Sequence, residues 1–134
     1  MKEVLYRNSK VEVRASNIHG YGVFAKEDIY KGETIEECYF IEINKVNFVP
    51  ELNNFIFKYN RLLPTGQIVE SLAIPLGYGM IFNCSKTKED RSVVHMQSQE
   101  DKVFSFVCAK DTKQDEELLS YYGDDWMKKR NLGI

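Results

Sequence analysis

Apolar positions along the chain come in short runs, with polar turn residues between them. Residues 11–14 alternate apolar and polar side chains, which indicates a half-buried strand. Residues 34–43 are rich in β-branched and aromatic side chains, which favour extended structure. Five further runs of the same kind predict strands at residues 23–25, 53–59, 67–69, 93–96 and 103–109.

Turn signals separate these runs. Gly32 follows a polar segment and can take a positive φ, and Pro64-Thr65-Gly66 predicts a hairpin-like turn. Residues 74–82 are apolar with interspersed glycines, and we expect a short helix that leads into a loop. Little else is helical, so the pattern predicts a mainly β fold in one domain over residues 1–134.

Composition restricts the function classes. The chain has 134 residues, of which 43% are hydrophobic and 28% charged, as in an ordinary globular protein. The net charge of -2 leaves no basic surplus for a phosphate backbone, so we expect no nucleic-acid partner. There is no apolar run of the roughly 20 residues that span a bilayer and no signal peptide, so we expect an intracellular protein without a membrane partner.

The residue types that usually bind metals are few and scattered. The chain has three cysteines and two histidines, and none of the cysteines forms a CxxC or CxC pair. A structural zinc site needs four ligands at close spacing, so we expect no metal. Cys38, Cys84 and Cys108 are interpreted as small apolar residues in a reducing compartment.

Three segments carry candidate chemistry. Residues 19–35 read HGYGVFAKEDIYKGETI, residues 77–85 read GYGMIFNCS, and residues 115–126 read DEELLSYYGDDW. In this order and spacing they resemble the motifs of the SET-domain family of protein lysine methyltransferases. The resemblance covers residues 11–126 and is greatest to the short single-domain SET proteins of large DNA viruses, which lack zinc-bearing flanks.

The resemblance implies the SET β-clip fold, with small curved sheets and a C-terminal pseudoknot. It implies transfer of methyl groups from S-adenosylmethionine to a lysine of a protein substrate, histone or non-histone, with S-adenosylhomocysteine as product. By analogy with the short viral relatives, a homodimer is also expected. Tyr122 matches the catalytic tyrosine of the family.

The resemblance also assigns binding residues. The cofactor would contact His19, Gly20, Tyr21, Gly22, Asn83, Cys84, Tyr122 and Trp126. The channel for the substrate lysine would be lined by Phe55, Ser120, Tyr122 and Trp126. Relatives carry Phe or Tyr at the position of Ser120, which limits the number of methyl groups added, and the smaller serine predicts di- or trimethylation.

One position departs from the family pattern, because Cys84 replaces the histidine of the Asn-His-Ser segment. Family members contact the cofactor there largely through the backbone, which a cysteine also provides. The departure leaves open a catalytically inactive SET-like module that binds a peptide or partner protein. A structural or carbohydrate-binding β-clip domain is a weaker alternative, since it would not need the second and third motifs.

Overall fold

The structure, a computed structural model, describes residues 1–47 and 49–124, apart from the side chains of residues 53 and 54. The strands in these ranges are β1 (Val11–Ala15), β2 (Tyr21–Ala25), β3 (Thr34–Ile43), β4 (Phe57–Leu62), β5 (Ile68–Pro75), β6 (Asn83–Cys84), β7 (Val93–Ser98), β8 (Val103–Cys108) and β9 (Glu117–Ser120). Short 3-10 helices span Lys45–Asn47, Pro50–Phe55 and Gly77–Met80. The mainly β prediction is therefore confirmed.

The described residues form two compact units, each assembled from separated segments. The first unit contains Met1–Asn8, Thr34–Ile81 and His95–Phe106, and the second contains Ser9–Glu33, Phe82–Val94 and the described residues that follow Phe106. Each unit has its own buried side chains. The single domain expected over residues 1–134 stays a prediction.

The first unit is built on a three-stranded antiparallel sheet in the order β3–β5–β4, with Ile41 opposite Ile74 and Tyr59 opposite Ser71. Alternation along β3 directs Phe40 inward and its neighbours Tyr39 and Ile41 outward. The buried apolar side chains of this unit include Ile35, Cys38, Phe40, Tyr59, Ala73, Ile74, Val103, Phe104 and Phe106. Four of these nine side chains are aromatic.

The second unit is organised around β9. Antiparallel pairing places Val23 of β2 opposite Leu118 of β9, and β2 pairs in turn with β1. β6 pairs with β9 in parallel, with Asn83 opposite Leu119 and Cys84 opposite Ser120. The segment leading to Tyr122 therefore lies beside the Asn83 segment, as the resemblance implied. The buried apolar side chains are Val11, Val23, Ala25, Ile29, Phe82, Val93, Cys108 and Leu118.

Two predicted elements differ from the structure. Residues 53–59 were expected to form one strand, but Pro50–Phe55 is a 3-10 helix and β4 starts at Phe57. Proline has no amide hydrogen, and it suits the first turn of a helix because amide hydrogens there have no partner within the helix. Pro50 therefore favours a helix start, and this signal outweighs the apolar side chains that predicted a strand from residue 53. Residues 74–82 were expected to start as a helix, but β5 continues to Pro75 and only Gly77–Met80 is helical.

The turn predictions are confirmed. Gly32 has a φ of 93° and Gly66 a φ of 88°, both in the left-handed region that favours glycine. Around the second turn, the amide of Leu63 donates to the carbonyl of Gln67 over 2.8 Å, closing the hairpin between β4 and β5.

Candidate functional site

Asn83 is the central polar residue of the second unit. It begins β6 and is only 8% exposed. Its Nδ2 faces four oxygen atoms at 2.8–3.2 Å: Ser16 Oγ, the carbonyls of His19 and Tyr21, and Glu117 Oε2. The side-chain nitrogen has hydrogens to donate, whereas the side-chain oxygen can only accept. Because the surrounding four atoms are all acceptors, the amide group is oriented with its nitrogen toward them.

The other atom of the Asn83 amide is the carbonyl oxygen Oδ1. Within residues 1–47 and 49–124, the hydrogen bonds of this side chain all involve Nδ2. A buried carbonyl oxygen without a donor is costly, and such atoms are usually satisfied by water or a ligand. Asn83 therefore offers an acceptor to a bound group with an N–H or O–H donor.

The loop between β1 and β2 carries the predicted glycines. Gly20 has a φ of 49°, and a Cβ added there would meet no atom within 4 Å. The exposed Tyr21 and His19 contribute their carbonyls to Asn83. The loop thus presents backbone atoms and an open surface beside Gly20, as close approach of a ligand requires.

Gly22 is tightly packed, in contrast to Gly20. A Cβ added at Gly22 would lie 2.2 Å from Glu117 Oε2 and 3.2 Å from Asn83 Nδ2. Only a residue without a side chain lets the carboxylate of Glu117 reach Asn83. The close approach at Gly22 therefore serves a polar network within the protein.

Cys84 and Tyr122 are in direct contact. The backbone amide of Tyr122 donates to Sγ of Cys84 over 3.4 Å, and burial raises the pKa of the Cys84 thiol. The parallel pairing of β6 with β9 produces this contact, since Cys84 is opposite Ser120 two residues before the tyrosine. The structure thus brings together Asn83, Cys84 and Tyr122.

The hydroxyl of Tyr122 donates a hydrogen bond to the carbonyl of Phe82. Burial raises the pKa of Tyr122 to about 12, and the neighbouring Cys84 and Glu117 act in the same direction. A phenol with this pKa stays protonated near neutral pH. Tyr122 can therefore orient and polarise a reacting group but is a poor general base.

The neighbours of Tyr122 have different surroundings. Ser120 is the last residue of β9 and is buried, and its carbonyl accepts a hydrogen bond of 2.8 Å from the amide of Ser85. Tyr121 donates from its hydroxyl to Asp124. Both tyrosines follow β9, which ends at Ser120.

The remaining two predicted site residues are Phe55 and Trp126. Phe55 ends the 3-10 helix Pro50–Phe55 of the first unit and is 37% exposed. Trp126 lies outside the described residues. Their assignments to the lysine channel, and that of Trp126 to the cofactor, stay predictions.

Sequence reasoning did not single out Ser16 and Glu117, although both contact Asn83. A signal for Glu117 was present, because the third motif contains two consecutive glutamates before Leu118. Alternation along a strand turns adjacent side chains in opposite directions, so only one of them can face the site. Ser16 had no signal beyond its place at the end of β1.

Residues 1–47 and 49–124 also bear on two other kinds of site. No group of three or more His, Cys, Asp or Glu side chains could hold a metal ion there. In the same ranges no helix is long and apolar enough to cross a membrane.

Known proteins similar to this chain are found both by a family model and among solved structures. A family model described as SET domain matches residues 20–123. A candidate histone methyltransferase of Plasmodium falciparum is 25% identical, with a TM-score of 0.66 over 89% of this chain and 97% of that one. No curated protein sequence gave a match.

Two further solved structures share the fold. The methyltransferase domain of human PR domain-containing protein 2 is 16% identical, with a TM-score of 0.64 over 88% of this chain and 80% of that one. The SET8 protein of Cryptosporidium is 21% identical, with a TM-score of 0.59 over 85% of this chain and 57% of that one.

Proposed function

Because the chain belongs to the SET-domain family, we propose that it is a protein lysine N-methyltransferase that uses S-adenosylmethionine. The family and its structural neighbours support protein methyltransferase activity in general. We further propose lysine as the acceptor and S-adenosylmethionine as the methyl donor. The main support for this proposal is the parallel pairing of β6 with β9, which places Asn83, Cys84 and Tyr122 close together.

The residues around Asn83 fit the amino-acid end of the cofactor. Asn83 is a buried residue whose Oδ1 is an acceptor, suited to an ammonium group, and Gly20 leaves open space beside the loop. We assign cofactor contacts to His19, Gly20, Tyr21, Gly22, Asn83, Cys84, Tyr122 and Trp126. When bound, S-adenosylmethionine supplies an electrophilic methyl group on a sulfonium.

Tyr122 is the residue to which we assign the catalytic role. A substrate lysine has a pKa of about 10.4 and must lose a proton before its nitrogen can attack. A phenol with a pKa of about 12 does not take that proton, so Tyr122 instead orients the amine and stabilises charge with its hydroxyl dipole. Burial around the phenol disfavours the charged ammonium and thus supports the neutral amine.

The lysine channel is the part of the proposed site that receives the substrate side chain. We assign it to Phe55, Ser120, Tyr122 and Trp126, and we propose that the small side chain of Ser120 permits di- or trimethylation. Mass spectrometry of the product after long incubation measures this directly. Ser120→Tyr, which fills the position, should shift the product to monomethyl-lysine, and a wild-type enzyme that stops at one methyl group would contradict the assignment.

The partner we propose is a protein substrate, histone or non-histone, that carries the target lysine. A homodimer, resemblance to the short viral SET proteins and an intracellular location also remain proposals from the sequence. The net charge of -2 is compatible with a basic peptide as substrate but does not select one.

Transfer of labelled methyl from S-adenosylmethionine to proteins of a cell lysate tests the proposal. Tyr122→Phe keeps the ring but removes the hydroxyl, and we expect its rate to fall by about 100-fold or more. Tyr121→Phe is the matched control, since it removes the adjacent hydroxyl, which contacts Asp124. It should retain activity.

The possible results separate the alternatives. A labelled band that disappears in Tyr122→Phe and persists in Tyr121→Phe supports the enzyme and identifies a substrate for mapping. Cofactor binding without transfer, in the lysate and on isolated histones, would favour the inactive SET-like module that the replacement of histidine by Cys84 left open. Absence of both binding and transfer would contradict the proposed function.

A further inference from the structure

The carboxylate of Glu117 connects two parts of the second unit. Its Oε1 accepts a hydrogen bond of 2.7 Å from the hydroxyl of Ser16, and its Oε2 accepts one of 2.8 Å from Nδ2 of Asn83. Ser16 begins the loop between β1 and β2, whereas Asn83 begins β6. One side chain therefore joins the loop to β6.

Ser16 organises the loop itself. Its Oγ accepts from the amides of Ile18, at 2.9 Å, and His19, at 3.4 Å, and its own amide donates to the carbonyl of Gly20 over 2.8 Å. These bonds close the loop around one hydroxyl. Because the oxygen accepts from the loop amides, the hydroxyl hydrogen is directed to Glu117, and the carboxylate thereby sets the orientation of Ser16.

The same carboxylate decides how the Asn83 amide is turned. Hydrogen bonds to a charged acceptor are roughly twice as strong as those between neutral groups, so Glu117 is the dominant partner of Nδ2. With Nδ2 held there, Oδ1 points the other way as an acceptor. Gly22 makes this possible, since any side chain at that position would displace the carboxylate.

We propose that Glu117 is a positioning residue for cofactor binding, acting together with Ser16. It fixes the loop of residues 16–22 and presents Oδ1 of Asn83 to the ammonium group of the cofactor. This inference rests on the proposed function and assigns Glu117 no contact with the reacting atoms. Its effect is on the affinity for the cofactor, and the rate of methyl transfer at saturating cofactor depends on Tyr122.

The adjacent Glu116 provides a matched control. It has the same side chain in the same motif, but its carboxylate accepts from the amide of Lys113 over 2.7 Å and is solvent-exposed. Glu116→Gln and Glu117→Gln therefore make the same chemical change one residue apart. The near-isosteric glutamine also preserves the packing of β9.

The first experiment compares KM for S-adenosylmethionine and kcat in the two variants. In Glu117→Gln we expect KM to rise about tenfold, the factor expected when a hydrogen bond to a charged group is lost, while kcat stays within about threefold. Ser16→Ala removes the other end of the bridge and should raise KM in the same direction. Glu116→Gln should match the wild type.

The second experiment needs no ligand and also applies if a variant is inactive. In NMR spectra of the cofactor-free protein, the Asn83 side-chain amide should give a downfield, slowly exchanging hydrogen because of the carboxylate. This resonance should move in Glu117→Gln and stay in place in Glu116→Gln. It reports on the network even if the protein binds no S-adenosylmethionine.

Together the two measurements distinguish the inference from the proposed function. A wild-type protein that binds no cofactor would contradict the proposed function, while the NMR comparison would still decide whether Glu117 orients Asn83. An unchanged KM in Glu117→Gln, or a loss of kcat with unchanged KM, would overturn the positioning role. So would an Asn83 resonance that does not move.

Discussion

At the scale of single residues, Gly20 and Gly22 have different reasons to be glycine. Gly20 lies in the left-handed region with open space around it, so its backbone conformation is what favours glycine. Gly22 lies against Glu117, so the space that a side chain would need is already occupied. The G-x-G pattern in the sequence therefore combines a conformational and a steric requirement.

Alanine substitutions should separate the two requirements. Gly22→Ala should lower the free energy of unfolding by about 1–3 kcal/mol, because the carboxylate of Glu117 must move. Gly20→Ala should cost about 1 kcal/mol through backbone strain alone. Denaturant titration measures both losses, and NMR of the Asn83 amide should show a change in Gly22→Ala only. An equal response in both variants would contradict the steric explanation.

At the scale of elements, the strands of the first unit bring three phenylalanine rings together around the imidazole of His95 in β7. The imidazole stacks on Phe104 of β8 at a centroid distance of 5.3 Å and meets Phe57 of β4 edge-on at 5.0 Å. Phe106 lies 5.9 Å from it. The sequence motifs assign His95 no role in the site. In the structure it is a member of an aromatic cluster.

This cluster predicts a pH-dependent stability. Burial lowers the pKa of His95 from its ordinary value of 6.5, so the unfolded chain binds the proton more readily than the folded one. The folded state should therefore lose stability as the pH falls below about 6.5, until the folded histidine also titrates. His95→Phe keeps a ring in the cluster and should show a smaller decrease in unfolding free energy between pH 7 and pH 5, measured by denaturant titration. The same decrease in both proteins would contradict this origin.

At the scale of the whole molecule, ligand binding and stability are linked. A ligand that binds only the folded chain stabilises it by about 2.7 kcal/mol when its concentration is 100 times its Kd. For a protein of this size that corresponds to a rise of several degrees in Tm.

Thermal unfolding with and without S-adenosylhomocysteine measures this rise. We expect ATP, which shares the adenosine moiety but lacks the amino-acid end, to give little change, because Asn83 and the loop of residues 16–22 are assigned to the amino-acid end. An equal shift with ATP would contradict that assignment. Glu117→Gln should show a smaller shift than Glu116→Gln at the same ligand concentration, in line with its expected loss of affinity.

The sequence by itself determined the fold class, the turns at two glycines and the family of this protein. Alternation of apolar and polar residues predicted the mainly β fold, and the turns at Gly32 and Gly66 follow from their freedom to adopt positive φ. Three motifs in order identified the family and pointed to Asn83 and Tyr122. These features are local, or lie within short motifs, so they can be read along the chain.

Only the tertiary structure decided how the distant residues meet. Glu117 lies 101 residues from Ser16 and 34 from Asn83, and nothing local in the chain couples them. In the first unit, the buried Glu36 is paired with Arg7 at a separation of 29 residues. The orientation of the Asn83 amide and the raised pKa of Tyr122 likewise depend on burial and on neighbours supplied by other strands. Contacts of this kind follow from strand pairing, which propensity and spacing do not specify.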